Sequence, residues 1–205
     1  MAPAQTQNRR QRVPASERRD ALIEAAIPEF AAGGFHGTPV DRIARRVGVA
    51  QPYVFSLFGS KRELFLAAVD RCFTRVGELM TRGAEEFDPA IAEEGATIFK
   101  AMGNAYTLAL VEERELLMLQ MQAYAACEDP LIRDHVRRGY AQLVHHAAQL
   151  AGPSATQEEL DEFFRYGMWL NVAAAMGVQD LSAGCAWIRD EVEEADEAGQ
   201  VPSSA

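Results

Sequence analysis

The chain has 205 residues, 48% of them hydrophobic, which suits one large helical unit or two small domains and exceeds what a disordered chain carries. No run approaches the roughly 18 apolar residues of a membrane-spanning helix, and the polar start lacks the apolar core of a signal peptide, so a cytoplasmic protein without membrane contact is expected. The net charge of −10 speaks at first against a polyanionic partner, but residues 1–62 carry ten Lys/Arg against five Asp/Glu (+5), leaving −15 on residues 63–205. A basic end on an acidic body is what a protein needs if only one end is to meet polyphosphate.

Residues 1–15 read as a disordered basic tail with Arg9, Arg10 and Arg12, either solvated or reaching into a minor groove. Ser16 is placed to cap a first helix running to about Ala32, with Leu22, Ile23, Ala26, Ile27 and Phe30 on its apolar face. Pro28 lies inside that pattern without an evident reason, and Gly33-Gly34 end it. Thr38 with Pro39 next to it predicts the cap and first position of a second helix, whose exposed face carries Asp41, Arg42, Arg45 and Arg46. A third helix is expected to start near Ala50 or Gln51, because Pro52 is tolerated only in a first turn.

Within residues 39–61, PVDRIARRVGVAQPYVFSLFGSK, a small Ala44 is followed four residues later by Gly48 and ten later by Val54. A small residue lets two helices cross closely, and glycine takes the positive φ of a tight turn. Ile43, Val47, Val49, Val54 and Leu57 supply the apolar faces, with Val54, Phe55 and Phe58 expected in the core. The spacing is that of a helix-turn-helix; the alternative is an ordinary helical hairpin.

Further on, Ser60 to Glu63 fits a capping box for a fourth helix carrying Phe65, Val69, Phe73, Val76 and Met80. Residues 83–89 break it. A fifth helix is expected over residues 90–111, with Ile98, Met102 and Tyr106 on one side. Residues 113–127 are apolar nearly all round and predict a buried helix. Asp129 caps a seventh helix with Ile132, Val136, Tyr140, Leu143 and Ala147 inward, stopped by Gly152-Pro153. Thr156 to Glu159 is a capping box for a helix with two apolar edges, Leu160, Phe164, Met168, Val172 and Phe163, Gly167, Leu170, Ala174. Leu181, Cys185, Ile188 and Val192 mark a last helix. The outcome is an all-α chain of about nine helices: a helix-turn-helix unit over 16–62, a body over 63–197, and a disordered tail over 198–205.

Residues 34–38 (GFHGT), Ile43-Ala44, Val47-Gly48-Val49 and 54–64 (VFSLFGSKREL) resemble the DNA-binding domain of TetR-family transcriptional regulators, over roughly residues 16–65. The resemblance implies an N-terminal three-helix DNA-binding head and a C-terminal helical body that binds ligand and dimerises through its last two helices. It also implies phosphate contacts from Thr38 and Lys61. Phe55 and Leu57 depart from the family, which commonly has a tyrosine, and a histidine or tyrosine, there.

From charge and position, Arg42, Arg46 and Ser60 add candidate phosphate contacts. Gln51, Pro52, Tyr53 and Ser56 point away from the predicted core as candidate base contacts, an amide suiting adenine and an apolar side chain a thymine methyl. Packing against the head's own surface is the alternative for Tyr53. Met102, Tyr106, Met118, Met121, Tyr124, Phe164 and Met168 are candidates to line an effector pocket, since methionine adapts and tyrosine offers a polar tip, although each also fits an ordinary core.

No glycine-rich phosphate loop, nucleophile elbow or metal-ligand cluster is present, so no enzyme, cofactor or metal is expected. Glu112-Glu113 and Asp161-Glu162 face different ways on a helix and read as surface. Of His145-His146 at most one faces inward, and the three scattered cysteines (Cys72, Cys127, Cys185) read as free thiols. The expected function is a homodimeric repressor that binds a palindromic double-stranded operator and is released by a small apolar effector. An activator of the same family and a helical adaptor without DNA specificity are the alternatives.

Overall fold

A computed structural model describes residues 14–178. Among them are eight α-helices, a single 3-10 turn at Ala126–Glu128 and no strand. The helices are α1 (Ala15–Gly37), α2 (Val40–Val47), α3 (Gln51–Phe58), α4 (Lys61–Glu85), α5 (Ile98–Glu112), α6 (Arg114–Ala125), α7 (Pro130–Ala151) and α8 (Gln157–Ala175). The predicted basic tail before residue 14, the helix around residues 181–192 with Cys185, and the tail over 198–205 lie outside the described residues.

Helices α1, α2 and α3 enclose an apolar centre of Leu22, Ala26, Phe30, Ile43, Ala44 and Val54, all essentially inaccessible. Phe30 meets Phe65 of α4 edge-on at 4.9 Å, so this centre continues into the long fourth helix. Helix α4 then packs on α5 and α7, while α1 lies along α6. The backbone breaks at Gly34, with φ of 65°, which turns the chain toward α2. A side chain there would meet only the flexible end of Gln122 on α6, 2.5 Å from its Oε1, so it is the positive φ of the turn that calls for glycine.

Several local expectations change. The cap of α1 is Pro14, with no side-chain bond, so Ser16 lies inside the first turn. The cap of α2 is Pro39, not Thr38, because the Thr38 hydroxyl is turned inward. Helix α5 begins at Ile98 and not near Ala90: residues 86–97 form turns, and Thr97 Oγ1 accepts the Lys100 N–H at 3.2 Å. Ser60 accepts the Glu63 N–H at 3.1 Å without the return bond of a full capping box. Asp129 caps α7, and Thr156 with Glu159 forms the complete box of α8. Helix α1 stays helical through Pro28, and nothing in its surroundings explains a proline there.

Candidate functional site

The turn between α2 and α3 is closed by backbone bonds. Gly48, at φ 70°, donates to Arg45 O at 3.1 Å, and Val49 donates to Ala44 O at 3.0 Å. This is the Schellman arrangement, which uses up the last carbonyls of α2 and needs a left-handed residue at its end. Helix α3 then starts at Gln51, with Pro52 at a position whose missing N–H costs nothing. Val54 and Phe58 face inward, while Gln51, Pro52, Tyr53 and Ser56 face solvent. The Ser56 hydroxyl donates to Tyr53 O at 2.7 Å.

Phe55, expected in the core, is 38% exposed beside Tyr53 at 37%. The two rings, two residues apart, leave the helix on opposite flanks of the Val54–Phe58 stripe, so α3 presents aromatic surface as well as amide and hydroxyl. Apolar-means-buried fails here because α3 is a short helix with only one face against its neighbours.

Around this face the basic candidates are held in different ways. Arg46 Nε donates to Glu29 at 2.7 Å and Arg42 Nη1 lies 3.5 Å from the same carboxylate, whose side chain is 9% exposed. A buried carboxylate needs such partners. Both guanidiniums remain more than half exposed, but part of their charge is already spent. The Thr38 hydroxyl lies 2.9 and 2.8 Å from the carbonyls of Glu29 and Gly34, and the residue is 1% exposed. Its side chain therefore does not face outward as the sequence suggested. Lys61 Nζ donates to His36 O at 3.1 Å and sits 5.4 Å over the Phe35 ring, and burial lowers its pKa. Ser60 is half-buried at the start of α4. A basic residue absent from the sequence reading, Arg19, lies 4.3 Å over the Phe58 ring at the same end of the molecule.

The second feature is a cavity of about 50 Å³ between α4, α5, α6, α7 and α8. Of the candidates, Tyr106, Tyr124, Phe164 and Met168 line it. Met102 does not: it is fully buried behind the wall. Met118 and Met121 are half-buried on α6 away from the cavity. The sequence missed Gln120 and Asn171. Gln120 Nε2 donates to the Tyr106 hydroxyl at 3.0 Å, which donates to Asn171 Oδ1 at 2.5 Å. Burial, more than any partner, raises the Tyr106 pKa, so this relay stays neutral at physiological pH. Gln120 Oε1 and Asn171 Nδ2 have no partner among the described residues, although both side chains are more than nine-tenths buried. The signal was available: an amide inside LLMLQMQAYAA and another inside MWLNVAAA.

Residues 22–68 match the profile of the bacterial regulatory proteins of the tetR family. The likeness to that family is carried by α1 to the first turns of α4. The HTH-type transcriptional activator FasR of Mycolicibacterium smegmatis is 42% identical over 69 residues, 34% of this chain and 32% of that protein. The chain thus spans about a third of the length of the first curated relatives it matches. A TetR-like transcriptional regulator from Rhodococcus sp. RHA1 shares the fold at a TM-score of 0.61 and 22% identity, over 92% of this chain and 100% of that one. FadR from Bacillus subtilis, solved in complex with stearoyl-CoA, shares it at 0.60 and 14% identity, over 80% of this chain and 92% of that one. Each of these relatives and neighbours is a transcription regulator.

Proposed function

We propose that this chain is a TetR-family homodimeric repressor that binds a palindromic operator in cytoplasmic DNA through residues 16–62 and leaves it when a small effector enters the body, residues 63–197. The observation that carries the proposal is the outward face of α3. Gln51, Pro52, Tyr53, Phe55 and Ser56 stand together on a helix whose two buried residues, Val54 and Phe58, fix its orientation. Amide, hydroxyl and ring edges on one exposed helix suit a major groove, with Tyr53 and Phe55 against thymine methyls and Gln51 on adenine. Phosphate grip falls to Lys61, Ser60, Arg42 and Arg46.

One such helix contacts few base pairs, so two heads on successive turns are required. Helix α8 supports a dimer: Tyr166, Val172 and Met176 are exposed at helical spacing, with Trp169 stacked on Tyr166 at 5.9 Å. The cavity supports effector control, since its walls join α4, which leads from the head, to α8. Stearoyl-CoA on FadR favours an effector with an acyl chain. The similarity to the activator FasR keeps activation as the second reading.

The experiment is a gel shift with the DNA upstream of the protein's own gene over a range of salt. Binding with a shortened footprint or no footprint at all at low salt overturns the operator. Tyr53→Ala is expected to flatten sequence preference by about 1–3 kcal/mol, whereas Lys61→Ala weakens all sequences alike and lowers the salt slope by about one. Loss of added transcription on deleting the gene, in place of derepression, selects the activator.

A further inference from the structure

The cavity of about 50 Å³ is smaller than the roughly 150 Å³ that holds a benzene, so an effector cannot lie wholly inside it as it stands. It also has no charged side chain in its wall. A charged group drawn into it would go unpaired at a large desolvation cost. Any charge on an effector therefore stays outside. Of the grooves adjoining the cavity, the one that shares Leu143 holds the carboxylate of Asp70 beside Arg138, while the other holds cations without a carboxylate.

A groove of about 650 Å³ runs between the end of α6 and the outer face of α7. It shares two residues with the cavity, Tyr124 and Tyr140, whose rings meet edge-on at 6.4 Å. These rings are the partition between the two spaces. The groove floor is Val136, Ala141, Val144 and Cys127, and its only charged lining residues are Arg133 and Arg137, one turn apart on α7. Arg137 makes no ion pair or hydrogen bond among the described residues, and Arg133 makes one long contact, 3.5 Å to Cys127 O. Neither guanidinium has a carboxylate partner among the described residues, although residues 63–205 carry a net −15. An apolar trough ending in two arginines without carboxylate partners, with a neutral cavity behind a ring gate, matches an amphiphile with an anionic end.

We propose that the effector is an anionic amphiphile that lies in the α6–α7 groove, its head on Arg133 and Arg137 and its chain passing between Tyr124 and Tyr140 into the cavity. This rests on the effector reading of that cavity and adds the mouth, the anchor and the ligand class. A free carboxylate and an acyl thioester of coenzyme A share this chemistry.

The test is calorimetric titration of the full chain with palmitate, palmitoyl-CoA and uncharged hexadecanol, for wild type and for the Arg133→Gln/Arg137→Gln double variant. The double variant is expected to bind the anionic probes about ten- to a hundredfold more weakly, from loss of charge-assisted bonds, and hexadecanol unchanged. Which anionic probe binds wild type more tightly identifies the source of the anion. Equal loss for all three probes, or no loss for the anions, overturns the anchor. No loss together with a lowered melting temperature assigns the arginines a role in stability alone and also overturns it. If wild type binds none of the probes, the ligand class is wrong, while operator release by another effector would still uphold the cavity. Tyr140→Ala opens the partition and is expected to speed hexadecanol entry in stopped flow; an unchanged rate places the mouth elsewhere.

Discussion

The outward face of α3 and the cavity between α4 and α8 dispose their polar groups in opposite ways. On α3 the core side is wholly apolar, and amide, hydroxyl and rings face solvent. In the cavity the rings form the walls, and the amides of Gln120 and Asn171 are buried around Tyr106. A surface site can change its specificity while the fold stays as it is. A buried polar site is part of the core, so altering its chemistry alters stability too.

Substitutions can break or sharpen that contrast. The largest effect is expected under the recognition face: Phe30→Ala empties a fully buried site against Phe65 and costs about 3–5 kcal/mol, roughly a 10 °C fall in melting temperature. DNA binding should fail only where the protein melts. Tyr106→Phe comes next. It strips both buried amides of a partner at about 1–3 kcal/mol, read by calorimetric melting, and changes effector affinity while leaving operator affinity in the cold intact. An unchanged melting temperature would remove the contrast.

A smaller effect belongs to the ion pair between Arg62 at the start of α4 and Asp129, at 2.7 Å. Burial pushes the Asp129 carboxyl up, but the Arg62 guanidinium and the Ile132 and Leu131 N–H groups outweigh it and hold the pKa below its usual value. A depressed carboxyl contributes stability above the ordinary carboxylate range and loses it as pH falls through the lowered value. Arg62→Gln should therefore flatten the acid side of the stability–pH curve, with a melting change below that of Tyr106→Phe, since half-exposed pairs contribute little. Phe55→Ala is expected to be smallest, within about 0.5 kcal/mol in stability, yet to weaken operator binding. A large stability loss would put that ring back in the core.

Much of this was legible locally. Gly48 after a small Ala44, Asp129 before Pro130, and Thr156 with Glu159 each settle their own turn within a few residues, and the sequence shows all of them. What failed depended on competition or distance. Thr38 before Pro39 reads as a cap, but its hydroxyl turns back to the carbonyls of Glu29 and Gly34. Phe55 reads as core because a ring is usually buried, and only the packing of α3 decides which side it takes. Helix α5 started late because turns and Thr97 outcompeted a weak helical pattern after Pro89. Met102 and Tyr106 share a helix face, yet only one reaches the cavity, a distinction set by α6 and α8. Gln120 and Asn171 meet through residues 106, 120 and 171, a junction no window along the chain contains.

Asp129 divides its work between its two oxygens. Oδ1 receives the N–H groups of Leu131 and Ile132 at 2.9 and 3.3 Å, while Oδ2 receives Arg62. The start of one helix is thereby stitched to the start of another by a single side chain, and the two functions come apart genetically. Asp129→Asn keeps an oxygen for the cap and surrenders the charge; Asp129→Ser keeps a shorter cap that cannot span to Arg62; Asp129→Ala loses both. An ordered series of three alleles at one codon would measure how far the start of α4 and the start of α7 depend on that stitch.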